Sequence, residues 1–296
     1  MLDPKIKTFL AVCSEMSFTK AAHKLCMTQP AVTQQIKALE AQYGCKLFER
    51  AGRAMKLTRA GDMLKQAALT MRNDEMHLTQ RMLQEQDKEN YFFGATLTVA
   101  EYFLADVLPK FINNHPTDTI EMQVANTSEL THALNLGHID FAIVEGEFSH
   151  PQYQSLSFGK QDYVCVASDR YLVDSHEALK LHDLLDNTLV TREKGSGTRS
   201  ILDTSLDLLG YDTSSFKNTI ELGNIGAIKN VVENTNSISF LYKAAIKKEL
   251  EANLLKIIDV EGFPITHEIS FIWRRGSIHS DKYIQTYKEL LEYTNN

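Results

Sequence analysis

Apolar residues recur every three or four positions in three short stretches of the first 45 residues, a spacing that predicts three α-helices. From the first helix to the third, the apolar positions are Ile6, Phe9, Leu10 and Cys13; Phe18, Ala21, Ala22 and Leu25; and Val32, Ile36, Leu39 and Tyr43. Ser17 and Thr28 are suitable N-caps for the second and third helices, because a hydroxyl oxygen can accept an unpaired backbone N–H. Gly44 is suited to end the third helix.

The second and third predicted helices are separated by a very short turn, so they must cross at a steep angle. The third helix buries one face and leaves Gln, Thr and Lys side chains on the other, where they can reach into a major groove about 12 Å wide. The following stretch "KLFERAGRAMKLT" alternates apolar and polar residues around a Gly, which predicts a β-hairpin wing. Arg50 and Arg53 lie near its tip and suit an adjacent minor groove. The pattern favours a winged helix-turn-helix; the alternative is a plain three-helix bundle with solvated basic residues.

The charge distribution favours DNA binding over that alternative. The first 60 residues contain ten Lys or Arg and four Asp or Glu, whereas the whole chain of 296 residues has a net charge of −7. A basic N-terminal segment on an acidic body is typical of a polyanion-binding module attached to a domain of another kind.

The segment "SFTKAAHKLCMTQPAVTQQIKALEAQYGCKLFER", followed by "GRAMKLTRAG", closely resembles the N-terminal winged helix-turn-helix of the LysR-type transcriptional regulators. The resemblance covers about residues 3–63 without a gap. It implies that base and phosphate contacts come mainly from the third helix and the wing. The expected DNA-binding residues are Ser17, Thr19, Thr28, Gln29, Pro30, Thr33, Gln34, Lys37, Arg50 and Arg53.

Residues 59–89 form a long, mostly polar stretch in which neither Gly nor Pro follows Gly61. Its apolar positions alternate in steps of four and three, with Glu75 at one of the expected apolar places, which is typical of a coiled coil. Those positions are Leu64, Ala68, Met71, Leu78 and Met82. A lone helix of this polarity is marginal in water, so we expect it to pair with a second copy. The alternative is a single helix lying on its own body. The resemblance implies the paired form.

Short apolar runs alternate with helical stretches after residue 90, which predicts parallel sheets covered by helices. The predicted strands are "TLTVA", "TIEMQVA", "DFAIVE", "DYVCVAS", "NTLVT", "NTIEL", "SISFLY", "LLKIID" and "EISFIW". Nine strands in about 200 residues fit two small α/β subdomains, with a ligand crevice at the carboxyl ends of the strands.

The family's effector domain resembles a periplasmic binding protein, and this organisation defines the expected fold class. We expect a multidomain chain: an all-α winged helix-turn-helix in residues 1–58, a linker helix in 59–89 and a two-subdomain α/β effector domain in 90–296. Subdomain I would comprise 91–160 and 267–296, and subdomain II 161–266. The likeness is sharpest at "VTREKGSGTR" and "ELGNIGAIKNVVE", which resemble the branch whose members bind small metabolites or oxyanions.

The "GSGTR" segment has features of an anion site. Its glycines free the backbone, Ser196 and Thr198 supply hydroxyl donors, and a helix begins directly afterwards, where unpaired N–H groups attract anions. Arg199 either adds a charged donor or braces the helix. The polar residues at other predicted strand ends are further candidates, although Asn126, Thr127 and Ser128 are equally explained as a helix cap. The expected effector-binding residues are Ala100, Glu101, Tyr102, Asn126, Thr127, Ser128, Glu145, Ser196, Gly197, Thr198, Arg199, Asn224 and Ile225.

Several classes of protein are disfavoured. No apolar run is long enough to span a membrane, and the N-terminus lacks the pattern of a signal peptide. The four cysteines show no CxxC spacing and suit a reducing compartment, so we expect a cytoplasmic protein. The histidines lack metal-ligand spacing, and no GxSxG, P-loop or GxGxxG motif occurs. We therefore expect no metal, no cofactor and no catalytic site.

The sequence predicts a LysR-type regulator, and the resemblance implies that it binds a promoter dyad as a dimer of dimers. A small-molecule effector, such as an organic acid or oxyanion, would alter DNA bending and the recruitment of RNA polymerase. Two alternatives belong to other classes. One is an architectural DNA-binding protein that ignores metabolites, and the other is an enzyme that kept a DNA-binding head.

Overall fold

The computed structural model describes residues 2–51, 54–82, 88–146, 150–171 and 178–295. The chain divides into two compact units. The first comprises Met1–Asp87, Asn135–Gly137 and Arg274–Ser280, and the second comprises Lys88–Leu134, His138–Trp273 and Asp281–Asn296.

The first unit is built mainly from helices. Its elements are α1 (Pro4–Glu15), α2 (Phe18–Lys24), α3 (Gln29–Tyr43), the strands β1 (Phe48–Ala51) and β2 (Ala54–Leu57), and α4 (Arg59–Met82). All three predicted N-terminal helices are therefore present. As predicted, the Ser17 hydroxyl caps α2 by accepting the Lys20 N–H at 3.3 Å, and the Thr28 hydroxyl caps α3. Gly44 ends α3 with a φ of +66°, a left-handed conformation that favours glycine.

One core holds these helices together. Phe9, Val32 and Leu39 are each at most 1% exposed within it. The expected burial of Tyr43 is wrong, since half of its surface is exposed. Tyr43 is the last residue of α3, so its side chain lies beyond the turns that supply Val32, Ile36 and Leu39 to the core.

The predicted wing is present as an antiparallel hairpin. β1 pairs with β2 in a register from Phe48 opposite Leu57 to Ala51 opposite Ala54. Thr58 connects the hairpin to the chain before it by donating its hydroxyl to the Lys46 carbonyl at 2.7 Å. Arg53 at the expected wing tip lies outside the described residues.

Helix α4 has two different parts. Near its start, Ala68 is fully buried in the core of the first unit, with Leu64 packed beside it. Further along, Met71, Leu78 and Met82 are 57%, 49% and 77% exposed, so the second half of the predicted apolar stripe is uncovered in the single chain. The opposite face of this half is polar and buried.

That polar face of α4 is held by the segment Arg274–Ser280 of the same unit. The Asp74 carboxylate accepts the Ser277 hydroxyl at 2.6 Å and the Ile278 N–H at 3.1 Å. Arg274 donates to the Gln66 carbonyl at 2.8 Å. These contacts correspond to the alternative of a helix lying on its own body, and they leave the exposed stripe free for a partner.

The second unit is an α/β structure. Its strands are β3 (Asn90–Ala95), β4 (Thr119–Val124), β5 (Phe141–Val144), β6 (Tyr153–Ser168), β7 (Thr188–Thr191), β8 (Asn218–Glu221), β9 (Ser237–Tyr242), β10 (Leu255–Ile258) and β11 (Ile265–Arg274). Its α-helices are α5 (Val107–Asn114), α6 (Thr127–Leu136), α7 (Gly197–Leu208), α8 (Ile225–Asn234), α9 (Lys247–Glu251) and α10 (Ser280–Asn295). The strand order is β4-β3-β5-β11-β6-β9-β7-β8, with β10 also paired to β6.

Parallel and antiparallel pairs have separate places in this sheet. β3 pairs in parallel with β4 and β5, and β7 pairs in parallel with β8 and β9, as the alternating pattern predicts. The long strands β6 and β11 lie between these groups and pair antiparallel with β9 and β5, respectively. Separate apolar clusters lie against the two groups, one around Phe93 and Phe141 and another around Leu189 and Ile238.

Eight of the nine predicted strands lie where expected, and the first does not. The run "TLTVA" is wrong as a strand, because β3 ends at Ala95 and residues Val99–Phe103 form a short π-helix. The strand is instead "NYFFGA", with five of its six residues buried. A fully buried strand has no alternation of apolar and polar residues, whereas "TLTVA" shows that alternation by chance.

Candidate functional sites

The predicted DNA-binding residues form an accessible surface on the first unit. Those with exposed side chains are Thr19, Thr28, Gln29, Pro30, Gln34, Lys37 and Arg50, while Ser17 and Thr33 are half-buried. A groove between the start of α2, the outer face of α3 and the wing is lined by Ser17, Thr19, Thr33, Lys37 and Arg50. The fold therefore brings together residues that are up to 33 positions apart in the sequence.

Two of the polar side chains on α3 are fixed to each other before any DNA is bound. Thr33 donates its hydroxyl to the Gln29 carbonyl at 3.0 Å, and its oxygen accepts the Gln29 side-chain N–H at 3.0 Å. This contact joins neighbours one turn apart on the helix. It orients the Gln29 amide, whose oxygen and second N–H stay available for a base edge.

A partly buried carboxylate connects the end of α3 to the segment that leads into the wing. Glu40 accepts the Lys46 ammonium at 2.7 Å and the Leu47 backbone N–H at 3.0 Å. Burial raises the pKa of Glu40, but the hydrogen bonds from Lys46 and Leu47 outweigh it and leave the pKa below its usual value. The ionised carboxylate thus sets the angle between the recognition helix and β1.

The predicted effector-site residue Glu145 follows β5 and lies at the centre of a polar cluster in the second unit. It is 1% exposed, and its carboxylate accepts three threonine hydroxyls: Thr96 at 2.8 Å, Thr98 at 2.9 Å and Thr198 at 2.8 Å. Burial raises the pKa of this carboxyl above its usual value, against the opposing effect of the three hydroxyls and of the Arg192 charge. We call Glu145 and these three threonines the Glu145 cluster.

The cluster joins the chain after β3, the chain after β5 and the N-terminus of α7. Gly197 makes this approach possible, because a Cβ there would lie 2.1 Å from the Glu145 carbonyl oxygen. A Cβ on Gly146 would lie 2.5 Å from the Gly197 Cα, and Gly146 has a φ of +83°. The glycines of "GSGTR" therefore serve a close backbone contact as well as a helix start.

Two further donors beside the cluster have no hydrogen-bond acceptor within the described part of the chain. They are the Arg192 Nη1 atom and the Tyr242 hydroxyl, and both side chains are at least 96% buried. The Arg192 charge lowers the Glu145 pKa, and the Glu145 charge raises the pKa of Tyr242 after the larger effect of burial. The remaining Arg192 nitrogens bind Glu193 at 2.8 and 2.9 Å. Buried donors of this kind are normally satisfied by an ordered water, an ion or a ligand.

Several of the other predicted effector residues have structural roles in this chain. Asn126 caps α6 by accepting the Glu129 N–H at 2.9 Å, and Asn224 caps α8 by accepting the Ala227 N–H at 3.0 Å. Thr127 donates to the Glu145 carbonyl at 2.8 Å. Ser128 is exposed, and its backbone N–H reaches the Gly195 carbonyl at 3.5 Å. Ser196 is 2% exposed and is the N-cap residue of α7.

Arg199 matches the bracing alternative. Its side chain is 5% exposed and is held by Asp203 at 2.7 Å, the Arg192 carbonyl at 3.1 Å and Thr213 at 3.0 Å. These partners lie on α7 and its neighbours, not in the Glu145 cluster. Ile225 is also buried, in the apolar core beside α8.

Ala100, Glu101 and Tyr102 lie on the π-helix instead of directly after a strand. Glu101 is exposed, and Tyr102 packs with Lys229 above its ring at 5.2 Å. The misplaced first strand accounts for this difference, since the residues that follow β3 are Thr96 and Thr98. Both donate to Glu145, and neither was predicted from the sequence as an effector-binding residue.

Arg192 and Tyr242 were not predicted as site residues, although both fit the rule that ligands bind at the carboxyl ends of parallel strands. Arg192 directly follows β7, and Tyr242 is the last residue of β9. Both lie at carboxyl ends of parallel strands, where ligands of such sheets bind.

Comparison with known proteins is consistent with this division of the chain. Residues 5–62 match the bacterial regulatory helix-turn-helix protein, lysR family, and residues 84–293 match the LysR substrate binding domain. A probable RuBisCO transcriptional regulator of Cyanophora paradoxa is 28% identical over 282 residues, covering 93% of this chain and 87% of that protein.

Two solved structures show the same fold. The regulatory domain of CcmR from Synechocystis PCC6803, in complex with 2-PG, has a TM-score of 0.63 at 23% identity and covers 70% of this chain and 98% of its own. Full-length LysG from Corynebacterium glutamicum, with its effector Arg bound, has a TM-score of 0.64 at 16% identity and covers 99% of this chain and 98% of its own.

The two matched regions together span most of the chain, which therefore belongs to the LysR family of transcriptional regulators. It is a DNA-binding transcription regulator with a winged helix-turn-helix and an α/β effector-binding domain. Its relatives are named as transcriptional regulators, and neither matched family is enzymatic. Within the described ranges, every helix is too short or too polar to cross a membrane.

Proposed function

We propose that this regulator binds a promoter dyad in the cytoplasm as a dimer of dimers and responds to a small-molecule effector at the Glu145 cluster. Effector binding would change the geometry of the paired DNA-binding heads, and thereby DNA bending and the recruitment of RNA polymerase. The proposal divides the chain near residues 58 and 89 into head, linker helix and effector domain, with subdomain I in 91–160 and 267–296 and subdomain II in 161–266.

The observation that carries the effector proposal is the pair of buried donors without acceptors, Arg192 Nη1 and the Tyr242 hydroxyl, beside the Glu145 cluster. An unpaired buried donor costs about 1–3 kcal/mol, so a fold that keeps two of them at strand ends gains most when a ligand accepts them. CcmR with 2-PG and LysG with Arg show that proteins of this fold hold small molecules.

The exposed half of the α4 stripe supports the oligomer. Met71, Leu78 and Met82 recur with coiled-coil spacing and leave a large apolar surface uncovered. Pairing through this stripe would join two heads for half-sites about 34 Å apart. Leu78→Glu places a charge on this exposed stripe, so it tests whether the stripe is needed for oligomer formation while leaving the fold of each head intact.

The test is binding of the full chain to its own upstream intergenic DNA and to a scrambled duplex, across a salt series, with and without pooled organic acids, amino acids and oxyanions. We expect a preference of at least about 10³ for the upstream DNA, and at least one pool that shifts affinity or footprint. Equal binding to both duplexes would contradict the regulator assignment at this site. Specific binding that no pool alters would favour a ligand-independent architectural protein.

A further inference from the structure

The Glu145 carboxylate occupies a position that an anionic ligand would fill. We propose that Glu145 acts as an internal anion that holds the effector site in its ligand-free form, and that the effector is a small anion whose oxygens replace this carboxylate. The proposal rests on the effector function proposed above and specifies the chemistry of that site.

The groups around the carboxylate are suited to an anion because they are donors. Three threonine hydroxyls already bind it at 2.8–2.9 Å, and they come from the segments after β3 and from the start of α7. Arg192 Nη1 and the Tyr242 hydroxyl are the buried donors left over. A carboxylate has two oxygens, whereas a tetrahedral oxyanion or a ligand with two acidic groups has lone pairs for more donors than the three threonine hydroxyls.

The charges facing Glu145 argue against simple addition of an anion. Arg192 is the cation that acts on Glu145, and two of its nitrogens are committed to Glu193. Arg199, the residue after Thr198, is paired with Asp203 at 2.7 Å. Tyr163 and Tyr242 are phenols, and Tyr163 donates to the Thr198 carbonyl at 3.0 Å. A second negative charge beside ionised Glu145 would therefore lack a cation to balance it. Binding then requires Glu145 to take up a proton from solvent or to leave the cluster.

The site is also tight, which limits the size of the ligand. Thr96, Thr98, Glu145 and Thr198 are each at most 2% exposed. The backbones at Glu145 and Gly197 are in direct contact. A ligand that replaces a carboxylate without separating these segments is of the size of an inorganic oxyanion or a two-carbon acid.

Isothermal titration of the full chain with sulfate, phosphate and glycolate tests this inference. Titrations in buffers of different ionisation enthalpy count the protons taken up on binding. The variants are Glu145→Gln, which keeps the shape but removes the charge, and Glu268→Gln, which makes the same change at an exposed position of the same unit. Arginine serves as a cationic probe, and urea unfolding confirms that each variant is folded.

We expect one of the anions to bind the wild type with uptake of up to one proton near neutral pH. Glu145→Gln should bind it at least about tenfold more tightly and without that uptake, while Glu268→Gln behaves as the wild type. Equal affinity and equal proton uptake in Glu145→Gln would overturn the inference but leave the effector function intact. So would binding of arginine and of no anion.

If Glu145→Gln does not fold, Thr198→Val replaces it. Loss of one donor should then weaken anion binding at least about fivefold and leave the binding of upstream DNA unchanged; unchanged anion affinity would overturn the inference. Failure of the proposed regulator function is read separately, from equal binding to upstream and scrambled DNA.

Discussion

The outer face of α3 and the Glu145 cluster both present polar side chains, including threonine hydroxyls, but the first is exposed to solvent and the second is buried. On α3, Gln29 and Thr33 are accessible, and their mutual hydrogen bond leaves further donor and acceptor capacity facing solvent. In the second unit, three threonines are buried and donate to one carboxylate. Water can satisfy the first set, and we propose that DNA replaces this water on binding. The second set is buried, so it must be satisfied by the protein or by a ligand.

This difference determines what a substitution does in each region. We expect a change on the exposed face of α3 to remove a contact with DNA and to leave the fold intact, so that its effect appears in binding. A change in the Glu145 cluster removes a partner from a buried group, so its effect appears in stability as well. The following predictions test this contrast, from the largest expected effect to the smallest.

Gly197→Ala should have the largest effect, because its Cβ would lie 2.1 Å from a backbone oxygen that cannot rotate away. We expect the second unit to lose about 1–3 kcal/mol or more of unfolding free energy, and any effector response to disappear. Urea unfolding followed by tyrosine and tryptophan fluorescence measures the loss.

The matched control is Gly223→Ala, where the nearest atom to an added Cβ is 3.8 Å away. It should change the unfolding free energy by less than about 0.5 kcal/mol. Similar losses for both variants would show that the close contact between Gly197 and Glu145 is not what limits the site.

Gln29→Ala should reduce the discrimination between upstream and scrambled DNA, because one base contact is worth about 1–3 kcal/mol. Thr33→Val should produce part of the same loss, since it releases the Gln29 amide without removing it. Competition binding with both duplexes measures the ratio of affinities.

Gln42→Ala is the control for these two variants, as Gln42 is exposed near the other end of α3. Its affinity ratio should equal that of the wild type. If Gln29→Ala weakens binding to both duplexes by the same factor, this side chain contacts the backbone of DNA and the assignment of base reading is wrong.

Thr98→Val should destabilise the second unit by about 1–3 kcal/mol, because the buried Glu145 carboxylate loses one of its three hydroxyl donors. The folded-state pKa of Glu145 is already raised, so its contribution to stability is complete below the unfolded pKa and is lost as pH rises through the folded pKa. Loss of a hydroxyl that lowers this pKa raises the pKa further, so the total decline becomes larger and extends to higher pH. Unfolding free energies measured from pH 4 to pH 8 check both effects, and a pH profile parallel to that of the wild type would contradict them.

The sequence predicts the α3 region better than the Glu145 cluster, because the first is determined by neighbouring residues and the second by distant ones. The caps Ser17 and Thr28 and the stripe of α3 are determined by residues within one or two turns, so a local pattern is sufficient. The Glu145 cluster joins residues 47 to 53 positions apart, and no local pattern links them. Thr96 and Thr98 were not predicted as site residues because they were placed inside the predicted strand "TLTVA". The real strand, β3, is almost fully buried, lacks the alternating pattern and ends before them at Ala95.

The smallest of the predicted effects concerns His115, which links the end of α5 to α10. Its Nδ1 lies 2.8 Å from Asp118 and its Nε2 lies 3.0 Å from Glu289. Burial lowers the pKa of His115, but the hydrogen bonds and charges of the two carboxylates outweigh burial and raise it above its ordinary 6.5. A raised folded-state pKa gives stability that is complete below pH 6.5 and is lost as pH rises through the folded pKa.

His115→Gln should therefore cost about 1 kcal/mol at pH 6 and clearly less at pH 9, when wild type and variant are compared by urea unfolding. The exposed His138→Gln is the matched control and should leave the unfolding free energy unchanged at both pH values. An equal cost of His115→Gln at pH 6 and pH 9 would mean that the neutral ring and its packing, not the charge, join α5 to α10. His115 would then act as Gln29 and Thr33 do on α3, as a polar side chain that contributes hydrogen bonds and packing without a charge.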